Sequence, residues 1–268
     1  MSIAYDPAPT PAGAEPSFPP LFTGERVPSD VDPLAKAVAA AGRPEGVEAG
    51  TLFWADRDDR LEAALVLAPE APLKEALAML FAAANGLGDA LGALSPPEVA
   101  VTWEWPDLVK VNGAACGVFR VEADARAPEA TPQWLVIALS LTMTPAHDAE
   151  PGADPTVTAL SEEGCGDIGR TRLLESWSRH TLVWINRWLD DGFRPIHDAW
   201  AARVEGRGEA IGLTHAGAAR RGVFLGLDET GSMLLKTEAG VEALGLEALL
   251  NHPRAAPEPA RAPEEAAP

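Results

Sequence analysis

The sequence predicts an α+β protein: strands and long helices share one large domain, and a cluster of short strands closes the chain. Three observations carry this. Asn112-Gly113 stands between two apolar runs, and both residues tolerate positive φ, so the pair marks a β-hairpin. Apolar residues recur at helical spacing over residues 74–94 and again over 172–189. From Gly206 the texture changes to short apolar runs broken by turns, which suits a small β-barrel, so a domain boundary is expected near Glu205.

Taken in order, residues 1–20 are rich in Pro and Ala and read as a disordered arm, and residues 252–268 as a disordered tail. Between them lie a large domain over 21–205 and the barrel cap over 206–251. Ser29-Asp-Val-Asp-Pro33 opens a helix that runs to Ala41, with Asp32 as cap, Pro33 as first helical residue and Gly42 as stop. Residues 51–54 are a short strand, and 55–60 a polar turn. The helix over 74–94 carries Ala76, Leu77, Leu80, Phe81, Ala84, Leu87, Leu91 and Leu94, and ends at Pro96-Pro97. Next comes the hairpin, whose first strand carries a Trp105-Pro106-Asp107 corner. Residues 134–142 are continuously apolar, as in a buried strand, and a polar loop covers 147–155. Helices follow over 172–189 and 195–204, with Trp177, Trp184, Trp188 and Trp200. Short strands then fall at 210–213, 222–227, 232–236 and 240–244, with a turn at 228–231.

Composition narrows the function classes. Hydrophobic content of 47% is ample for a packed core, and the net charge of −19 argues against nucleic acid, which needs a basic footprint. It equally disfavours an anionic membrane surface. No uninterrupted apolar run reaches a membrane-spanning length, and Met1-Ser-Ile-Ala-Tyr-Asp lacks the features of a signal peptide. Two cysteines, Cys116 and Cys165, give no disulfide framework and suit a reducing compartment. A cytoplasmic protein without nucleic-acid or membrane partners is expected.

The stretch from Thr102 to Phe119 resembles the central motif of the biotin protein ligases, part of the biotin/lipoate ligase superfamily. There a strand ends in Lys-Trp-Pro-Asn-Asp and the chain returns through an Ala-Gly-Ile-Leu-like run. This chain has Trp105, Pro106, Asp107, Gly117 and Val118, with Glu104 in the place of the lysine. Thr156-Val-Thr-Ala-Leu-Ser-Glu-Glu resembles the family's Thr-Ser-Leu region, and Gly226–Leu235 the hairpin of its C-terminal cap. On this resemblance, residues 61–67 are a second strand, although Ala and Glu are poor strand formers. The resemblance implies a biotin/lipoate ligase-like mixed β-sheet with helices, followed by an SH3-like barrel. It implies a ligase that uses ATP and Mg to activate the carboxylate of biotin, lipoate or a related acid. The acyl group then passes to a lysine of a biotinyl or lipoyl carrier domain.

That chemistry requires positive charges and backbone amides aimed at phosphate oxygens. The turn Asp56-Arg57-Asp58-Asp59-Arg60 has no glycine and three carboxylates, so it cannot wrap a phosphate as a glycine-rich nest does. Arg57 and Arg60 are its candidate anion contacts. Opposite unit charges about 4 Å apart are worth ~4 kcal/mol at an effective dielectric near 20. Glu104 reverses that sign, and a second family lysine is replaced by Ala114 or Ala115. Lys110 and Asp107 are the candidate catalytic residues. By strand parity Lys110 shares a face with Glu104, though six residues on, roughly 20 Å along a strand. Trp54, Trp103 and Trp105 are candidate walls of an apolar slot, and Asn112 and Gly117 complete the candidate substrate-binding set. Cys116 and Cys165 are the candidates for a thioester nucleophile, and the five histidines show no metal-ligand spacing. Three readings stay open: a ligase, a catalytically inactive ligase-fold binding or assembly module, and an ATP-independent acyltransferase.

Overall fold

In the computed structural model of the chain, the described residues are 15–145 and 154–257. His147 and most of the predicted polar loop lie outside them, as do most of the N-terminal arm and the end of the C-terminal tail. Seven strands form one sheet: β1 Thr23–Val27, β2 Thr51–Asp56, β3 Arg60–Leu67, β4 Val101–Glu104, β5 Leu108–Val111, β6 Ala114–Ala123 and β7 Leu135–Thr142. Their order is β1-β2-β3-β7-β6-β5-β4. Only β1 and β2 pair in parallel, so the sheet is mixed, as expected. β7, central and apolar but for Ser140 and Thr142, is buried at all eight positions. β1 escaped the sequence reading because Thr-Gly-Glu-Arg-Val is an edge strand exposed at four of five positions, with no alternation to detect.

Helix α1 (Pro33–Ala41) starts and stops where its capping residues predict. The Leu34 amide donates to Asp32 Oδ1 at 2.9 Å, and the Gly42 amide to the Val38 carbonyl at 3.0 Å. It covers one face of the sheet, burying Leu34, Ala37 and Ala41 with Phe53, Ala64 and Ala138. The other face carries the larger core, with α2 (Leu73–Ala76), α3 (Met79–Leu94), α4 (Arg170–Asp191) and α5 (Arg194–Ala201). Residues 73–94 are long and apolar enough to cross a membrane by those measures alone, but 78% of an 18-residue window within them is buried inside the protein. Gly86 lets α3 approach α4 closely: a Cβ there would collide with Thr181. Trp177 Nε1 then donates to the Ala83 carbonyl at 3.0 Å.

The Trp105-Pro106-Asp107 corner differs from expectation. It is the turn of a hairpin of its own, not a kink within one strand. β4 and β5 pair antiparallel with Glu104 opposite Leu108 and Thr102 opposite Lys110. Proline supplies no amide to a ladder, and the chain reverses where it stands. The expected spacing of Lys110 from Glu104 is corrected with it. Lys110 lies diagonally across one strand pair, roughly 7 Å away by sheet geometry, and not far along a single strand.

The C-terminal strands are β8 Ala210–His215, β9 Ala218–Leu227, β10 Met233–Thr237 and β11 Gly240–Leu244, an antiparallel sheet in the order β11-β10-β9-β8. Its inward residues Phe224, Met233, Leu235 and Leu244 belong to the same apolar cluster as α3 and Trp105. Residues 203–205 run beside β4, with the Trp103 amide donating to the Arg203 carbonyl at 3.0 Å and the Glu205 amide to the Trp103 carbonyl at 2.9 Å.

Candidate functional site

The corner between β4 and β5 places two carboxylates side by side. Asp107 is 3% exposed, and its carbonyl accepts the Phe119 amide at 2.9 Å, fixing the corner to β6. Arg254 Nε lies 3.0 Å from Asp107 Oδ1, while Arg254 Nη1 donates to Glu104 Oε1 at 2.8 Å. The place expected to repel a phosphate thus holds a guanidinium, contributed from beyond the last strand. Burial raises the Asp107 carboxyl to about 6 in spite of the opposing pull of Arg254. A cavity of about 480 Å³ opens here between the corner and the C-terminal sheet, lined by Glu104, Trp105, Asp107, His215, His252 and Arg254 among others.

The turn between β2 and β3 gathers arginines. Arg57 Nε is 2.8 Å from Glu62 Oε2, and Ser140 Oγ donates to Glu62 Oε1 at 3.5 Å. Arg60 Nε is 3.6 Å from Asp59 Oδ2. Arg170, the first residue of α4, donates from Nη1 to the Asp58 carbonyl at 2.8 Å. Sequence reasoning found Arg57 and Arg60 but missed Arg170 and Arg254. Both come from distant segments, and only tertiary structure brings them in.

The turn and the corner flank one short stretch of chain. Arg254 reaches the corner carboxylates, and the Pro257 carbonyl accepts from Arg60 Nη2 at 3.4 Å. Three Cα steps bound the distance from residue 254 to residue 257 at about 11 Å.

The other candidates fall elsewhere. Lys110 is ion-paired to Glu205 Oε2, and Thr102 Oγ1 donates to Glu205 Oε1 at 2.6 Å. Trp103 is buried against α3, and Trp54 lies in the same core with Arg26 5.4 Å over its ring. Trp105 does line the cavity, and its Nε1 donates to the Gly231 carbonyl at 3.1 Å, fastening the corner to the C-terminal sheet. Asn112 adopts φ 49° in its turn; its Nδ2 donates to Glu163 Oε2 at 2.7 Å, and Thr158 Oγ1 donates to Glu163 Oε1 at 2.6 Å. Asn112 therefore braces the 156–163 segment. Gly117 sits in β6 between β5 and β7, and Ser140 and Leu141 of β7 crowd it. Cys116 is fully buried, its thiol pushed up by burial, and Cys165 is also buried. Among the described residues, no three His, Cys, Asp or Glu side chains converge as a metal site requires.

Comparison with known proteins agrees with this architecture. The chain is 45% identical to a biotin protein ligase-like protein of unknown function from Silicibacter sp. TM1040, with a TM-score of 0.80 over 88% of this chain and 99% of that one. It is 30% identical over 183 residues to a biotin–[acetyl-CoA-carboxylase] ligase of Paracoccus denitrificans, covering 67% of this chain and 75% of the relative. The fold is also that of the Aquifex aeolicus biotin protein ligase solved with biotin and ATP, at a TM-score of 0.64 and 17% identity over 82% of this chain and 94% of that one. The biotin/lipoate A/B protein ligase family matches residues 18–202, spanning the whole seven-stranded sheet and the helices that cover it, and the chain belongs to that family.

Proposed function

We propose that this protein is a working ligase: it activates a small acyl carboxylate, biotin or a related acid such as lipoate, and transfers it to a lysine of a carrier domain. The observation that carries the reading is the polarity of the site. Arg57, Arg60 and Arg170, each paired with an acidic neighbour, gather at one end, and the carboxylates of Glu104 and Asp107, held by Arg254, at the other, with one short stretch of chain between. The reaction needs both poles. ATP and the acyl-adenylate present phosphate oxygens, which the arginines suit. The acceptor arrives as an ammonium, which the carboxylates suit. After deprotonation its nitrogen bonds to the acyl carbon, and the carbon–oxygen bond to AMP breaks. Asp107, with its carboxyl raised to about 6, lies in the range of a general base for that proton. The names of the Paracoccus and Aquifex relatives support biotin as the first acid to test.

The test is isotope exchange between pyrophosphate and ATP, run with biotin, lipoate and octanoate separately. Exchange that depends on one acid is expected. No exchange and no thermal shift with any of them would sink the reading.

A non-catalytic binding module is the second reading, and one observation favours it. Glu104 stands in the lysine's place and Lys110 is already paired to Glu205, so neither brings a free lysine to the corner. An acid-dependent thermal shift without exchange selects this alternative. The acyltransferase reading gains nothing from the buried, high-pKa thiol of Cys116.

A further inference from the structure

The C-terminal segment imitates, in its charges, the molecules the proposed reaction would bring together. It sets a cation between Glu104 and Asp107 through Arg254, and an acceptor oxygen on Arg60 through the Pro257 carbonyl. We infer that the Glu104–Asp107 corner is a seat for the ammonium of a partner's lysine, and that Arg254 fills it as a built-in substitute until the partner displaces it. The identity of the partner group rests on the ligase reading above; the existence of the seat does not.

The seat is more than a pair of acidic side chains. Asp107 is 3% exposed and lines the cavity, yet neither of its carboxylate oxygens has an aligned hydrogen-bond donor among the described residues. Among the described residues, the cation paired with it is Arg254. A buried carboxylate left in that condition strongly favours any cation able to enter. A lysine ammonium, like a guanidinium, carries donors only, and its compact head can meet both carboxylates at once.

The present occupant is lightly held. Among the described residues, 253–257 form no helix or strand and make no main-chain to main-chain hydrogen bond. Among the described residues, its polar ties are those of Arg254 at the corner and Pro257 at Arg60. Such a segment lifts by local opening, without unfolding the sheet beneath it. An acceptor lysine then competes with Arg254 for the same two carboxylates, and a strap that stays down keeps the acceptor out.

The experiment titrates full-length protein with Nα-acetyl-lysine methylamide, using the norleucine analogue as the control without an ammonium, by calorimetry. R254A and R254Q are expected to bind the lysine probe at least tenfold more tightly than wild type, and R254Q/D107N to lose that gain. No gain in either single variant, or an equal gain for the norleucine probe, would overturn the inference. Should the variants fold poorly, wild type still decides. The 15N-edited Nε signal of Arg254 must move at saturating lysine probe, and an unmoved signal is equally fatal. The probe needs no nucleotide, so the two ideas fail separately. Tighter lysine binding without pyrophosphate exchange rejects the ligase and keeps the seat; exchange without tighter binding does the reverse.

Discussion

The ammonium of Lys110 rests on Oε2 of Glu205, and the other oxygen of that carboxylate accepts Thr102 Oγ1 at 2.6 Å. The arrangement ties β5, through β4, to the segment that leads into the C-terminal sheet. Burial pushes the Glu205 carboxyl up, but the bonds from Lys110 and Thr102 outweigh it and leave the group below its usual range. K110M and E205Q should each lower stability by about 1 kcal/mol, the scale of a partly screened pair. The double variant should lose less than the two added together. Urea unfolding of the four proteins measures the coupling, and strict additivity would mean the pair contributes nothing.

Asp107 predicts a pH dependence of stability. Its carboxyl moves from 3.8 in the unfolded chain to about 6 in the folded protein, because burial disfavours the charge. Between those values the folded state holds more proton than the unfolded one, so stability falls as pH rises through the window. A shift of about two units corresponds to on the order of 3 kcal/mol. D107N removes the titration. The stability of wild type relative to D107N should therefore fall by about that amount between pH 4 and pH 7, measured by urea midpoints. A difference that stays flat across this range would show that Asp107 is not desolvated.

The helix caps, the central hairpin and the buried inner strand were legible because each rests on local signals. Asp32 and Gly42 bound α1, Asn112-Gly113 turns β5 into β6, and the apolar run of β7 can only be interior. The candidate site was legible in halves. Trp105, Asp107, Arg57 and Arg60 announce themselves through the family motif, but the charges that complete them come from Arg170 and Arg254, remote in sequence and unmarked by any pattern. Lys110 misled for a related reason. Strand parity treats a chain as straight, and Pro106 folds it back so that Lys110 meets Glu205.

Neither cysteine should react in the native protein. Cys116 has no exposed surface, its thiol is pushed up by burial, and Cys165 is 2% exposed. Iodoacetamide at neutral pH should leave the native mass unchanged and add two carbamidomethyl groups once urea unfolds the chain. An acyl or carbamidomethyl adduct on native Cys116 would revive the thioester reading.

Gly117 is the backbone position on which the corner's placement depends. It pairs with Val109 on β5 and Leu141 on β7, next to an irregularity in the β5–β6 ladder. A Cβ there would stand 2.7 Å from the Ser140 carbonyl oxygen and 2.8 Å from Leu141 Cδ1, and the first of these is backbone that cannot swing aside. G117A should therefore destabilise by about 1–3 kcal/mol, as overpacking does. Because β6 must move away from β7 to relieve the clash, and β6 holds the corner through the Phe119 amide on the Asp107 carbonyl, the variant should also weaken acid-dependent exchange. G113A supplies the contrast. Gly113 has φ 89° and nothing within 4 Å of the added methyl, so its loss strains only the turn, by about 1 kcal/mol, and leaves the corner where it is. Thermal melts paired with exchange assays separate the two. If G117A melts earlier yet keeps full exchange at a temperature where it is folded, the corner is not part of the site.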